Sequence, residues 1–217
     1  MIVRFVLLCE GSSDEPLVEH LQELLVSHGA DEASGYSDSS KGTVADKLAR
    51  ILEMGAQVDV AFVHRDADSP DAEPRLREIA NGVRRAAFTN PYVPVVPVQE
   101  IEAWLLIDES AIRSVVGNPN GRMPLDLPSP EHVEEVARPK EALLNALALA
   151  SGKTGKRLAQ EKQRFGARRR VLLQRLDTDG VVRRVRAWQK LEQAIRDLAH
   201  EQGWARPDSA NPDSARE

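Results

Sequence analysis

Residues 2–14 read IVRFVLLCEGSSD, and this stretch decides the fold. Residues 2–9 form a short apolar run, rich in β-branched residues and closed by Glu10-Gly11, the pattern of a buried strand. Helical spacing follows at once over 15–28, with Leu17, Val18, Leu21, Leu24 and Leu25 on one face and Pro16 suited to the first turn. A continuous apolar strand leading into an amphipathic helix is the opening of an α/β unit with a mainly parallel sheet. Glu10 stands where such sheets bind ligands, at the carboxyl end of a strand.

Working outward, residues 31–42 are polar and rich in Gly and Ser and read as a loop, and 44–54 as a helix. A second apolar run at 58–63 ends in Asp66-Ala67-Asp68. Residues 74–88 read as a helix, and 92–98 as an edge or irregular strand, because it carries Pro94 and Pro97 and follows Pro91. After about residue 110 the alternation stops. Residues 117–139 are loop-like, and 141–149, 156–176 and 181–200 are helical. The last of these presents Val181, Val185, Trp188, Leu191, Ile195 and Leu198 as an apolar stripe. The expected organisation is a catalytic α/β domain over 1–110, a basic helical extension over 111–203 packed on it, and a disordered tail over 204–217.

Charge divides along the same line. Residues 1–110 hold 20 acidic and 9 basic side chains, whereas 151–190 hold 13 basic and 3 acidic, so the formal net charge of -5 hides two electrostatic regions. No apolar run is long enough to span a bilayer. A single cysteine, Cys9, excludes an internal disulfide, and with no leader-like start the expected compartment is the cytoplasm.

Three expected strand ends deliver carboxylates to one edge: Glu10 with Asp14, Asp66 with Asp68, and Glu100 with Glu102. Taken singly each has a bland reading, Asp14 as a helix cap and Asp66-Ala-Asp68 as a turn. If 66–68 is extended, its two carboxylates point the same way and repel by about 4 kcal/mol at 4 Å and an effective dielectric near 20. A proton or a cation must then offset them. Oxygen-only clusters suit Mg²⁺ (or Mn²⁺), and such a site serves in-line phosphoryl displacement. If a helix has begun at Glu102, only one of Glu100 and Glu102 faces the site. Lys153, Lys156, Arg157, Arg164, Arg168 and Arg169 are candidate nucleic-acid contacts. Lys162 or Lys140 is the candidate for transition-state charge. Ser151-Gly-Lys-Thr154 lacks the first glycine of a phosphate loop, Cys9 and His64 have no zinc spacing, and Trp104 and Trp188 read as core.

A Glu closing the first strand in E-G-x-x-D (Glu10, Asp14), followed by D-x-D after a later strand (Asp66, Asp68), resembles the Toprim domain. Asp four residues after the first Glu is most similar to the overcoming-lysogenization-defect nucleases. Gln99-Glu-Ile-Glu-Ala-Trp104 and the Lys162…Asp177 region look like a bacterial family of stand-alone Toprim-like proteins. The resemblance implies a Rossmann-like parallel sheet with a C-terminal helical extension. It also implies a Mg²⁺-dependent nuclease with Glu10, Asp14, Asp66, Asp68 and Glu100 as metal ligands, or with Glu10 as general base instead. Beside it, the residues' own reading adds Glu102 as the alternative ligand to Glu100 and expects Glu10, Asp66, Asp68 and Lys162 to be catalytic. The implied substrate is nucleic acid, DNA ahead of RNA, with phage defence as setting, a separately encoded ATPase as partner, and a dimer as one possible assembly. The chain differs from larger relatives in carrying no ATPase domain. Two further readings are a non-catalytic interaction module and an unrelated metal-dependent phosphohydrolase.

Overall fold

The computed structural model describes residues 1–204, so the expected disordered tail beyond residue 204 lies outside the described residues. Four strands, β1 (Ile2–Leu8), β2 (Glu32–Asp38), β3 (Val60–His64) and β4 (Tyr92–Val95), form one sheet in the order β2-β1-β3-β4. All neighbours are parallel, with Phe5 opposite both Gly35 and Val60 and His64 opposite Val95. The fold is α/β, as the opening stretch implies.

Helical layers cover both faces, which is why β1 is apolar at every position but the exposed Arg4 instead of alternating. Val6 and Leu8 pack with α2 (Val44–Glu53) and α3 (Glu73–Arg85) on one side. Val3, Phe5 and Leu7 pack on the other with α1 (Leu17–Ser27) and the helices that follow the sheet. Those are α4 (Glu102–Leu105), α5 (Glu109–Val115), α6 (Pro139–Ser151), α8 (Phe165–Gln174) and α9 (Arg186–Glu201), while α7 (Gly155–Gln163) adds no residue to this core. One continuous core runs from Val3 to Trp204, so the extension shares the sheet's own core. At its centre Trp104 and Trp188 meet edge to face, 5.1 Å apart at 84°.

The structure corrects four local expectations. Residues 32–38 are a strand, not part of a loop. β2 is an edge strand with a polar, half-exposed sequence, so hydrophobic periodicity carries no sign of it. Its Gly35 lies over the Phe5 ring, where a Cβ would sit 2.2 Å from Phe5 Cζ. Gly35→Ala should therefore cost about 1–3 kcal/mol of stability by overpacking, read as a lowered urea midpoint.

Residues 156–176 are two helices broken at Arg164, whose backbone starts a new direction. Residues 109–115, unassigned by pattern, form α5, capped by Asp108 accepting from the Ala111 N–H at 2.9 Å. Val181 is exposed in a 3₁₀ turn, and α9 begins only at Arg186. Ser151-Gly-Lys-Thr154 is the corner between α6 and α7, with Gly152 left-handed (φ 62°) at the end of α6. No described helix is long and apolar enough to cross a membrane.

Candidate functional site

The chain runs from β1 outward to β2, then crosses back over β1 to place β3 and β4 on its other side. The strand order therefore reverses between β1 and β3, and that crevice at the carboxyl ends is where open α/β sheets bind ligands. Glu10 follows β1 there, and Asp66 follows β3. Lys47 of α2, buried beneath this edge, donates to the Cys9 carbonyl and to that of Asp38 at 3.2 Å. It ties off the ends of β1 and β2, and burial lowers its pKa.

The loops after β3 and β4 are laced together beyond the strands. Ala67 N–H donates to Pro97 O (3.0 Å), Asp68 N–H to Gln99 O (2.8 Å) and Gln99 N–H to Ser69 O (3.1 Å). Asp68 (φ 53°) and Gln99 (φ 62°) both hold left-handed backbone, a conformation that costs non-glycine residues of order 1–3 kcal/mol. This strained pair of loops carries Asp66, Asp68 and Glu100.

The twist at Asp68 overturns the expected convergence of Asp66 and Asp68. Asp66, 18% exposed at its side chain, turns inward and accepts from the Ile101 N–H at 2.9 Å. Asp68, 58% exposed, turns outward to Arg75 at 2.5 Å. Arg75 also donates to the Asp66 carbonyl at 3.0 Å. Glu10 pairs with Arg65 at 3.2 Å.

Asp14 and Glu102 are also corrected. Asp14 caps no helix, and neither residue faces the edge; both are buried against Arg169 of α8. Arg169 Nη2 reaches Asp14 Oδ1 at 2.8 Å, Nε reaches Glu102 Oε1 at 2.8 Å, and Nη1 donates to Ser13 O at 3.1 Å. Arg169 is thus a buried clamp between two strand-end loops, not a surface contact for nucleic acid. Arg168 and Lys153 are likewise committed, both to the buried Glu161 at 2.7 and 2.6 Å. Lys156, Arg157, Lys162 and Arg164 remain exposed on or beside α7.

Between the clamp and the edge lies His64, fully buried at the end of β3. Its ring nitrogens stand 3.6 Å from Asp14 and 3.5 Å from Asp66 without completing a hydrogen bond. Burial pushes the imidazole pKa down, but Asp66, then Asp14 and Glu10, outweigh it and raise it above the usual value. Three carboxylates from two strand ends therefore bear on one side chain. Glu100 opens instead onto a cavity of about 210 Å³ that it lines with Asp68, Gln99, Arg138 and Lys140. Its carboxyl is raised by burial and then by Glu102 and Asp66, against the Lys140 N–H it accepts at 3.1 Å. Lys162 does not line this cavity; Lys140 does.

Cys9, buried beside this edge, has its thiol pushed from 9.0 up to about 12 by burial and then by Asp14. The folded value lies above the unfolded one. Its contribution to stability is therefore complete below pH 9 and is lost as pH rises towards 12. Iodoacetamide at pH 8 should leave the native chain unmodified and alkylate it once denaturant unfolds it, read by mass.

Among the described residues no group of three or more His, Cys, Asp or Glu side chains is arranged to hold a metal ion. Asp14 and Glu102 do not fit as ligands, because Arg169 already answers their charge. Glu10, Asp66, Asp68 and Glu100 fit by chemistry: an oxygen-only set of the kind Mg²⁺ takes. The pairs holding Glu10 and Asp68 are part-exposed and of a class worth about 0–1 kcal/mol, weak enough for a dication to displace. The sequence reading missed Arg65, Arg75, Arg138 and Lys47, and gave Gln99 only as the start of the Gln99–Trp104 motif. Arg65, which directly precedes Asp66-Ala-Asp68, was the one visible signal. Family models, curated proteins and solved structures yield no match to this chain.

Proposed function

We propose that this chain is a Toprim-like nuclease that uses Mg²⁺ (or Mn²⁺) to hydrolyse nucleic-acid phosphodiesters. One observation carries the reading: Glu10 follows β1 and Asp66 follows β3 on the two sides of the reversal point of a parallel sheet, and Glu100 follows the neighbouring β4. Glu10, Asp66 and Glu100 would hold the cation, with Asp68 joining them only by leaving Arg75, and the cation would supply a hydroxide-like nucleophile and charge stabilisation for in-line displacement. Asp66 is the fixed member, oriented by the Ile101 N–H, and the strained 66–69 and 97–100 loops keep Glu100 in register with it. Exposed Lys156, Arg157, Lys162 and Arg164 give the chain a basic surface for a phosphate backbone. DNA is the substrate favoured over RNA, the cytoplasm the compartment, and phage defence the setting.

The test is cleavage of DNA and RNA by purified protein with Mg²⁺ or Mn²⁺, against the Asp66→Asn variant. No cutting by the wild type, with or without a partner ATPase, would overturn the reading. A second reading, a non-catalytic module serving a separately encoded ATPase, has its own support. Arg65 and Arg75 already compensate Glu10 and Asp68 without any cation. That reading predicts ATPase binding that survives Asp66→Asn.

A further inference from the structure

Five side chains alternate in charge across the carboxyl edge of the sheet: Glu10, Arg65, Glu78, Arg75 and Asp68. The two ends of this chain are candidate cation ligands. Its middle member, Glu78, belongs to α3 and is none of the strand-end carboxylates. The two oxygens of Glu78 are divided between the arginines. Oε1 lies 3.1 Å from Arg65 Nη2, and Oε2 lies 2.6 Å from Arg75 Nη1. Arg75 and Glu78 stand one helical turn apart, where i, i+3 side chains meet, so α3 itself sets that contact. Arg65 directly follows β3 and reaches Glu78 from the sheet.

Each arginine serves Glu78 and a candidate ligand with different nitrogens. Arg65 gives Nη1 to Glu10 at 3.2 Å and Nη2 to Glu78. Arg75 gives Nη2 to Asp68 at 2.5 Å, Nη1 to Glu78, and Nε to the Asp66 carbonyl at 3.0 Å. Either guanidinium can therefore give up its ligand carboxylate and still keep an acid. Arg75 also keeps its hold on the Asp66 main chain. All five side chains are part-exposed, so exchanging one partner for another costs little. With Glu78 gone the balance changes. The arginines would then have only Glu10 and Asp68 to answer them, and would compete with a cation for both.

We propose that Glu78 is a positioning residue for cation loading: it retains Arg65 and Arg75 when Glu10 and Asp68 turn from them to a divalent cation. The proposal rests on the reading of this edge as a Mg²⁺ site and adds a residue that governs how readily its carboxylates are released. Glu78 acts through the two arginines and touches neither cation nor substrate.

Mn²⁺ binding, followed by the electron paramagnetic resonance signal of the free ion, reads this without any cleavage. Glu78→Gln should weaken Mn²⁺ binding about fivefold, the upper end of what a part-exposed pair is worth. It keeps the fold, because both pairs it gives up are part-exposed. Arg65→Gln and Arg75→Gln should each tighten Mn²⁺ binding by a similar factor, since each frees a carboxylate. The decisive comparison places Glu78→Gln in a chain that already carries both arginine substitutions. With no arginine left to hold, its effect should shrink to less than about twofold. Glu73→Gln, which removes the same charge from an exposed position of the same helix, should also stay within about twofold of wild type. An unchanged Mn²⁺ affinity in Glu78→Gln overturns the proposal. So does a loss that persists without the arginines, because Glu78 would then act by its own charge. In both cases Mn²⁺ binding by the wild type leaves the Mg²⁺ reading standing. A wild type that binds no Mn²⁺ refutes that reading, and the proposal with it.

Discussion

Arg169→Met should lower the stability of the chain by about 3–5 kcal/mol, the range for removing one partner from a buried ion pair. The guanidinium has three acceptors, Asp14, Glu102 and the Ser13 carbonyl, and both carboxylates are buried. Its removal leaves two negative charges facing each other away from water. Each must then protonate, drag in solvent or push its loop outward, and the loops concerned follow β1 and β4. Arg169→Lys should not restore the loss, since one ammonium cannot reproduce a fork that meets two carboxylates and a carbonyl. A triple variant that also carries Asp14→Asn and Glu102→Gln should recover part of it, because neutral amides remove the stranded charge. Urea denaturation of the four proteins measures this directly. If Arg169→Met unfolds within 1 kcal/mol of wild type, the clamp is not what holds these loops.

Asp66→Asn should abolish metal-dependent cleavage, by at least about a hundredfold, while leaving the fold intact. The asparagine keeps an Oδ1 able to accept from the Ile101 N–H, so the loop geometry survives. What it loses is the negative charge that a dication requires. Removing one electrostatic group from such a centre costs about 10²–10³ in rate. Asp68→Asn makes a useful contrast. It forfeits a part-exposed pair with Arg75 of the class worth about 0–1 kcal/mol, so its stability should barely change, and any loss of cleavage reports on the metal alone. Cleavage by Asp66→Asn at the wild-type rate would remove Asp66 from the reaction.

The sequence was informative where burial is two-sided. β1 and β3 are sandwiched between helical layers, so their apolar runs are long, broken in β1 only by the exposed Arg4. The amphipathic helices Leu17–Ser27, Val44–Glu53 and Glu73–Arg85 announce themselves by period. β2 escaped because an edge strand that is exposed or half-exposed at every position, with its own Gly35 lying over Phe5, needs few apolar residues. The single reading of 156–176 failed for a related reason: the break at Arg164 turns one basic, helix-favouring stretch into two helices without any Gly or Pro between Gln163 and Phe165.

The sequence by itself determined the α/β class, the strand-end position of Glu10, Asp66 and Glu100, and the basic character of the later helices. These depend on period and composition, which are local. Tertiary structure decided which charges meet. Arg169 lies 155 residues from Asp14, and nothing near either predicts that they share a buried contact. The divergence of Asp66 and Asp68 likewise follows from a left-handed residue held by hydrogen bonds to the 97–99 loop. Local pattern sets where a carboxylate sits along the chain, whereas its partner and its exposure depend on packing between segments far apart in sequence.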